Sequence, residues 1–403
     1  MTRYFTNARV VTPDAVIEEG TVVVDGPTIA RVDFAGSAPS SANEVVDCAG
    51  DWLLPGLIDL HNDGLEKELE PRPFTRFSLA GSLRSFENRL VGSGITTIYH
   101  AIPFMGKRNL IPTEERARPT LEAIRDYDRV ATVRHRVHAR YEMPETSYAE
   151  VVAQMMECGL IDMVSLMDHT PGQGQYQDIE RFKKVSSMLR RMSVEEIDDH
   201  IAARQAKAAH EAVAERAAYV AETAVRLGIP LASHDDDSIA KVDRVRALGV
   251  QISEFPVALE VAAHAASAGM HVVVGAPNIV QGKSNSGNLR AEDALRSGAA
   301  DIVCSDYHSP AMLDSAFRLV EHGAYELPEA VARMSANAAR AVGLDEELGS
   351  IEAGKRADLV RVEVSDGVPH VRAVYVDGAR VYERRSRPPV GAVADARPRV
   401  TVR

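Results

Sequence analysis

His61 and Asp63 stand at the end of the apolar run Leu54-Pro55-Gly56-Leu57-Ile58-Asp59-Leu60. On a strand alternate side chains share a face, so this imidazole and this carboxylate converge. They form two prongs of a divalent-metal site. Pro55-Gly56 reads as the turn that feeds the chain into the strand. The plain alternative is a surface turn with His61 as a helix-cap partner. Other apolar segments end in the same chemistry: Arg136, His138, Arg140 and Glu142 on one face by period two, then Asp168-His169, His234, Glu254 and Asp306. Any one of these could be a satisfied polar residue at a strand end. Together they are hard to explain by packing, because converging buried carboxylates need a cation.

The frame follows from the spacing. Candidate strands lie at 57–62, 95–102, 134–142, 162–168, 230–234, 250–254, 271–276 and 301–306, with amphipathic helices between them. Eight β-α repeats are the count of a TIM (β/α)8 barrel, whose active sites gather at the C-terminal strand ends. A helical region is expected from about Val194 to Leu227, started by a Ser193–Glu196 capping box and stopped by Gly228 and Pro230. Alternating apolar residues and Asp-Gly turns mark both ends of the chain as strands. They predict an α/β fold with a small β-sandwich module built from residues 1–54 and 345–403 around a barrel of residues 55–344. The Pro- and Arg-rich tail from Arg384 is expected to fray.

The 403 residues are 45% hydrophobic, enough for one large core. Cys48, Cys158 and Cys304 give neither a disulfide framework nor a Cys-x-x-Cys pattern, which points to a reducing cytoplasm. No apolar leader or membrane-length run is visible. The formal charge of −12 argues against nucleic acid as partner. It permits an anionic small substrate, since a barrel mouth can hold a positive pocket on an acidic protein. Arg72, Lys107, Arg108, Arg136, Arg140 and Lys283 are candidate phosphate clamps, with surface solvation the alternative for Lys107 and Arg108. Ser284, Ser286 and Asn288 sit in a turn that could offer backbone N–H groups to an anion.

Pro55-Gly-Leu-Ile-Asp-Leu-His61, the isolated His234, Asp306, and the late segments Ser335-Ala-Asn337 to Leu344 and Gly349 to Val360 resemble the amidohydrolase superfamily. Most members carry His-x-His on strand 1 and a carboxylated Lys on strand 4; this chain has His-x-Asp and no such Lys. His61-Asn-Asp63-Gly-Leu-Glu66-Lys67, His135 to Glu142, Ser165 to Gln173, Glu254-Phe-Pro256 and Ser305-Asp306-Tyr307 resemble a narrower group in it. Those members hydrolyse a ribose 5-triphosphate of phosphonate catabolism to the 5-phosphate and pyrophosphate.

The resemblance implies His61, Asp63, His234 and Asp306 as metal ligands. Asp168 and His169 stand where the bridging Lys sits, Glu142 could replace the bridge from strand 3, and Glu254 replaces the usual strand 6 His. His138 joins Arg72, Arg136, Arg140, Lys283 and the Ser284–Asn288 turn as substrate contacts. One or two divalent ions are expected, zinc first, with manganese or iron as alternatives. A metal lowers the pKa of bound water toward roughly 7, and Asp306 serves as general base. A homo-oligomer, a dimer first, is implied. The loop Gln281-Gly-Lys283-Ser-Asn285-Ser-Gly-Asn288 departs from the group's Arg-Gly-Gly-Ser-His-Ser-Gly-Asn. A hydrolase of a cyclic amide, urea or N-acyl bond is therefore the second expectation. A non-catalytic scaffold is the third.

Overall fold

The computed structural model describes residues 1–34, 44–105, 110–111, 113–190, 193–284 and 287–385. The expected tail from Ser386 onward, with Ser286, Asn285, Lys107 and Arg108, lies outside the described residues.

All eight barrel strands form: β1 (Leu57–Asn62), β2 (Ile95–Phe104), β3 (Arg134–Glu142), β4 (Met163–Met167), β5 (Leu231–His234), β6 (Ile252–Glu254), β7 (His271–Gly275) and β8 (Ile302–Cys304). They pair in parallel and in chain order. Between β8 and β1 the ladder thins to a bridge of Asn62 with Asp306. There Asp306 N–H donates to His61 O at 2.9 Å and Asp63 N–H to Asp306 O at 3.0 Å. Strand β8 stops before Asp306 because that residue takes a left-handed φ of 55°. Ile58, Leu60, Tyr99, Met163, Ala232, Ile252, Val273 and Ile302 pack inside the barrel. His61 follows Leu60 into that interior. Consecutive residues facing one way require an irregular strand, and the β1–β2 register shifts between Asp59 and Asn62.

The termini build one second sheet. The segments Thr2–Val11, Val16–Asp25, Thr28–Asp33, Glu44–Asp47 and Trp52–Pro55 meet Leu359–Ser365, Val368–Val376 and Ala379–Glu383 in it. The seam is antiparallel, with Leu54 opposite Val360 and Trp52 opposite Val362. The sheet has a core separate from the barrel's, in which Phe5 meets Tyr375 edge to face at 4.7 Å. Arg134 at the start of β3 pairs with Asp358 and Asp377 and so ties this module to the barrel floor.

The expected helix over 194–227 is two helices, Val194–Ala208 and Ala212–Leu227. The Ser193–Glu196 capping box and the left-handed Gly228 stop are both present. The break carries no Gly or Pro. His210 Nδ1 instead accepts the Ala212 N–H at 3.2 Å, an imidazole acting as a local cap. The halves have different jobs. The first reaches the cavity mouth, while Arg216 and Arg226 of the second pair with Glu150 and Glu157 on helix Tyr148–Glu157.

A buried polar string joins the barrel wall to helix Leu79–Gly92. His100 Nε2 lies 2.8 Å from His135 Nδ1, and His135 Nε2 lies 3.2 Å from Glu87. Thr132 donates its backbone N–H to the same carboxylate at 3.0 Å, and its hydroxyl as well. Burial opposes charge on Glu87, but these hydrogen bonds outweigh it and push the carboxyl from 4.5 down to about 2. A depressed carboxyl stabilises the fold above its ordinary pKa, and that contribution drains away as pH falls from 4.5 toward about 2. Glu87→Gln is expected to cost about 1.5–3 kcal/mol near pH 7, the range for hydrogen bonds to a charged group. The gap to wild type should narrow in acid. Urea titrations near pH 7 and about pH 3 read it, and a gap that stays constant contradicts the assignment.

Candidate metal centre and catalytic cavity

Six side chains from the barrel strands and the turns that follow them form two donor groups, His61 with mid-strand His138 and Glu254, and His169 with His234 and Asp235. Within each group the candidate ligand atoms lie within 4.8 Å of one another, and all six residues are buried. Glu254 at the end of β6 reaches both. Its Oε1 lies 3.0 Å from His61 Nδ1, its Oε2 3.3 Å from His234 Nδ1 and 3.8 Å from His138 Nε2.

Hydrogen-bond logic fixes the form of His138. Its Nδ1 lies 3.0 Å from the Leu60 carbonyl, which only accepts, so Nδ1 carries the proton. Nε2 then holds a lone pair, is buried, and has no hydrogen-bond partner among the described residues. A metal-ligating imidazole has this arrangement, one nitrogen held by a carbonyl and the other free to bind. Burial pushes His138 down to about 4 and His61 down to about 3, the latter helped by the Arg140 charge. Burial and Arg140 also hold His234 well below its ordinary value. Neutral imidazoles are the ligating form. Burial raises the Asp235 carboxyl to about 6, and its Oδ2 has no hydrogen-bond partner among the described residues. These neutral imidazoles and underused carboxylates fit a divalent cation.

The other expected ligands lie around this centre. Glu142 sits behind His169, taking its backbone N–H at 2.8 Å and facing its Nδ1 at 2.7 Å, and Arg204 lies 3.2 Å away. Burial alone would raise Glu142, but the His169 contacts leave it lowered. Here Glu142 orients His169 and belongs to neither donor group. Asp168 turns aside and accepts the Thr170 N–H at 2.9 Å. Asp63 and Asp306 line the cavity above the donor groups. Arg140 approaches Asp63 at 3.9 Å. Burial first, and then the Asp63 charge, pushes Asp306 up to about 7 against the pull of Arg140 and Lys67.

The cavity has a volume of about 690 Å³ and is walled by Arg140, Ser284 and Asn288 among the expected substrate contacts. His138 lies in the donor group below. Arg136 is at the other end of the barrel, 3.4 Å from Asp128 and 3.9 Å from Asp162. Arg72 is exposed on a turn with Thr75, and Lys283 is exposed; neither lines the cavity. Ser286 lies outside the described residues.

Sequence reading missed Asp235 and two arginines that line the cavity, Arg181 and Arg204. The run Asp235-Asp236-Asp237 was a signal for the first. Asp236 accepts from Ser253 at 2.6 Å and Asp237 from the Gly174 N–H at 2.8 Å, so only Asp235 faces the histidines. For the two arginines no signal existed, since both read as ordinary charges on helices.

The Amidohydrolase family profile matches residues 52–381. The chain is 33% identical over 380 residues to the alpha-D-ribose 1-methylphosphonate 5-triphosphate diphosphatase of Escherichia coli (strain K12), covering 93% of this chain and 99% of that one. It is 25% identical over 383 residues to an imidazolonepropionase of Pseudomonas paraeruginosa, covering 87% and 89%. Its fold is similar to that of N-acetylglucosamine-6-phosphate deacetylase from Pasteurella multocida, with a TM-score of 0.64 at 15% identity over 94% and 99% of the two chains. The family match across most of the chain, the near end-to-end relative and the barrel with its donor groups agree, and the chain belongs to the amidohydrolase family.

Proposed function

We infer that this protein is a metal-dependent triphosphate diphosphatase of phosphonate metabolism. The reading takes α-D-ribose 1-methylphosphonate 5-triphosphate to its 5-phosphate and pyrophosphate. The carrying observation is the 33% identity to a diphosphatase over nearly the whole of both chains. The geometry supports the chemistry. His61, His138, Glu254, His169, His234 and Asp235 would hold one or two ions. When bound, a divalent ion supplies a water of lowered pKa and a positive charge for phosphoryl oxygens. Asp306 accepts the water proton and returns it to the leaving oxygen. Arg140 offsets negative charge growing at the reacting phosphoryl group. His169 is held in register by Glu142, and Glu142 by Arg204.

Zinc before manganese or iron, a homodimer and a reducing cytoplasm complete the reading. It divides the chain into a barrel of residues 55–344 and a module of residues 1–54 with 345–403. No helix among the described residues is long and apolar enough to cross a membrane.

Purified protein with metal restored should release pyrophosphate from ribose or nucleoside 5-triphosphates, followed by phosphorus NMR. Orthophosphate as the sole product, or no turnover, sinks the reading. Turnover of hydantoin-like or N-acyl substrates instead would favour a C–N hydrolase.

A further inference from the structure

The loop after β7 brings Ser284 and Asn288 to the cavity but leaves its lysine, Lys283, exposed outside the wall. Among the described residues, the cations that line the cavity are Arg140, Arg181 and Arg204. Arg140 lies beside Asp63 over the donor groups, and Arg204 pairs with Glu142. Arg181 comes from helix Ile179–Arg190, between β4 and β5, and stands on the rim.

Two features hold it there. The next residue, Phe182, packs with Ile197 and Ile201 in a small core of its own, and Tyr176 and Ile179 close against it. That core joins helix Ile179–Arg190 to helix Val194–Ala208, so Arg181 stands on a packed unit. On the other side its guanidinium closes on Gly287. A Cβ built there would lie 2.4 Å from Arg181 Nη1, so a side chain at 287 would displace this guanidinium from its present place. Gly287 also has φ +79°, the left-handed region that suits glycine. The result is a guanidinium close to Gly287 beside Ser284 and Asn288, in a cavity that His61, His169, His234 and Asp235 of the donor groups also line.

A planar fork of N–H donors matches a tetrahedral oxyanion better than a lysine does. A triphosphate attacked at the metal end of the cavity still has anionic groups remote from the reacting phosphorus. On the triphosphate reading above, we propose that Arg181 is a specificity-determining residue that grips an oxyanion of the substrate remote from the scissile bond, with Gly287 leaving room for it. That oxyanion is the terminal phosphate of the leaving pyrophosphate or the phosphonate on the ribose. Both are tetrahedral phosphorus oxyanions.

The test uses the metal-loaded protein and the variants Arg181→Gln and Arg181→Lys. Calorimetry with inorganic pyrophosphate and, separately, methylphosphonate reads binding. Steady-state kinetics on a 5-triphosphate read KM against kcat. Arg181→Gln should weaken one of the two anions by about tenfold or more and raise KM more than it lowers kcat, as loss of a charged fork predicts. The anion affected identifies which end of the substrate lies at the rim. Arg181→Lys should recover part of the loss, since it keeps charge without the fork. Wild-type binding of neither anion, or Arg181→Gln binding both as wild type does, overturns the proposal. If wild type hydrolyses no triphosphate yet loses an anion on Arg181→Gln, the diphosphatase reading fails and the anion grip stands.

Discussion

An Asp306→Asn protein should fold, bind substrate and lose about a hundredfold or more in turnover, the low end for an acid–base group. Folding should survive for two reasons. Asn tolerates the left-handed backbone that Asp306 occupies at φ 55°. The links that close the barrel here use the backbone N–H and carbonyl of residue 306, not its side chain. The chemistry should not survive, because an amide cannot accept the water proton. Burial and Asp63 hold this carboxyl near 7, and a bound cation would move it down. The base acts when ionised, so activity should fall as pH drops through its pKa, and the variant should lose that acid limb. A role for the Asp306 side chain as a helix cap finds no support in the fold. The helix after β8, Ala311–Glu321, starts at Pro310 and takes no side-chain cap. Turnover near wild type in Asp306→Asn would refute the general-base role.

Glu254→Gln should act through the metal. This carboxylate is fully buried and reaches both donor groups. Its removal should lower metal content more than the roughly 10–100-fold affinity loss usual for residues that only support a ligand. Activity should fall with metal content and recover in part at high metal concentration. The metal-free protein should respond with the opposite sign. Without a cation, burial raises the Glu254 carboxyl among neutral imidazoles, so a neutral amide relieves a buried charge and stability should hold or rise. His61→Asn should likewise lose metal first and activity as a consequence, whereas Asp306→Asn should retain most of its metal. Elemental analysis and thermal melts of the three variants separate these patterns. Unchanged metal content in Glu254→Gln would remove it from the centre.

By itself the sequence determined the barrel, the terminal sheet and the strand-end positions of the chemistry. Backbone periodicity carries that information locally. Apolar runs of strand length punctuated by turns set β1 to β8, and His61, His234 and Glu254 were visible because each closes such a run. Asp306 was visible for the same reason, although its left-handed turn ended β8 early. Tertiary structure decided what each polar residue does, because that depends on neighbours distant in the chain. Arg136 and Arg140 share a face by period two, but four residues of strand separate them by roughly 13 Å. One therefore meets Asp162 at the barrel floor and the other Asp63 at the mouth. Glu142 was legible in the chain as a candidate ligand and Asp235 was not. The fold set Glu142 behind His169, between it and Arg204, and set Asp235 facing His169 and His234. Arg181 shows the limit most plainly, since its contact with Gly287 joins two segments that no local pattern relates.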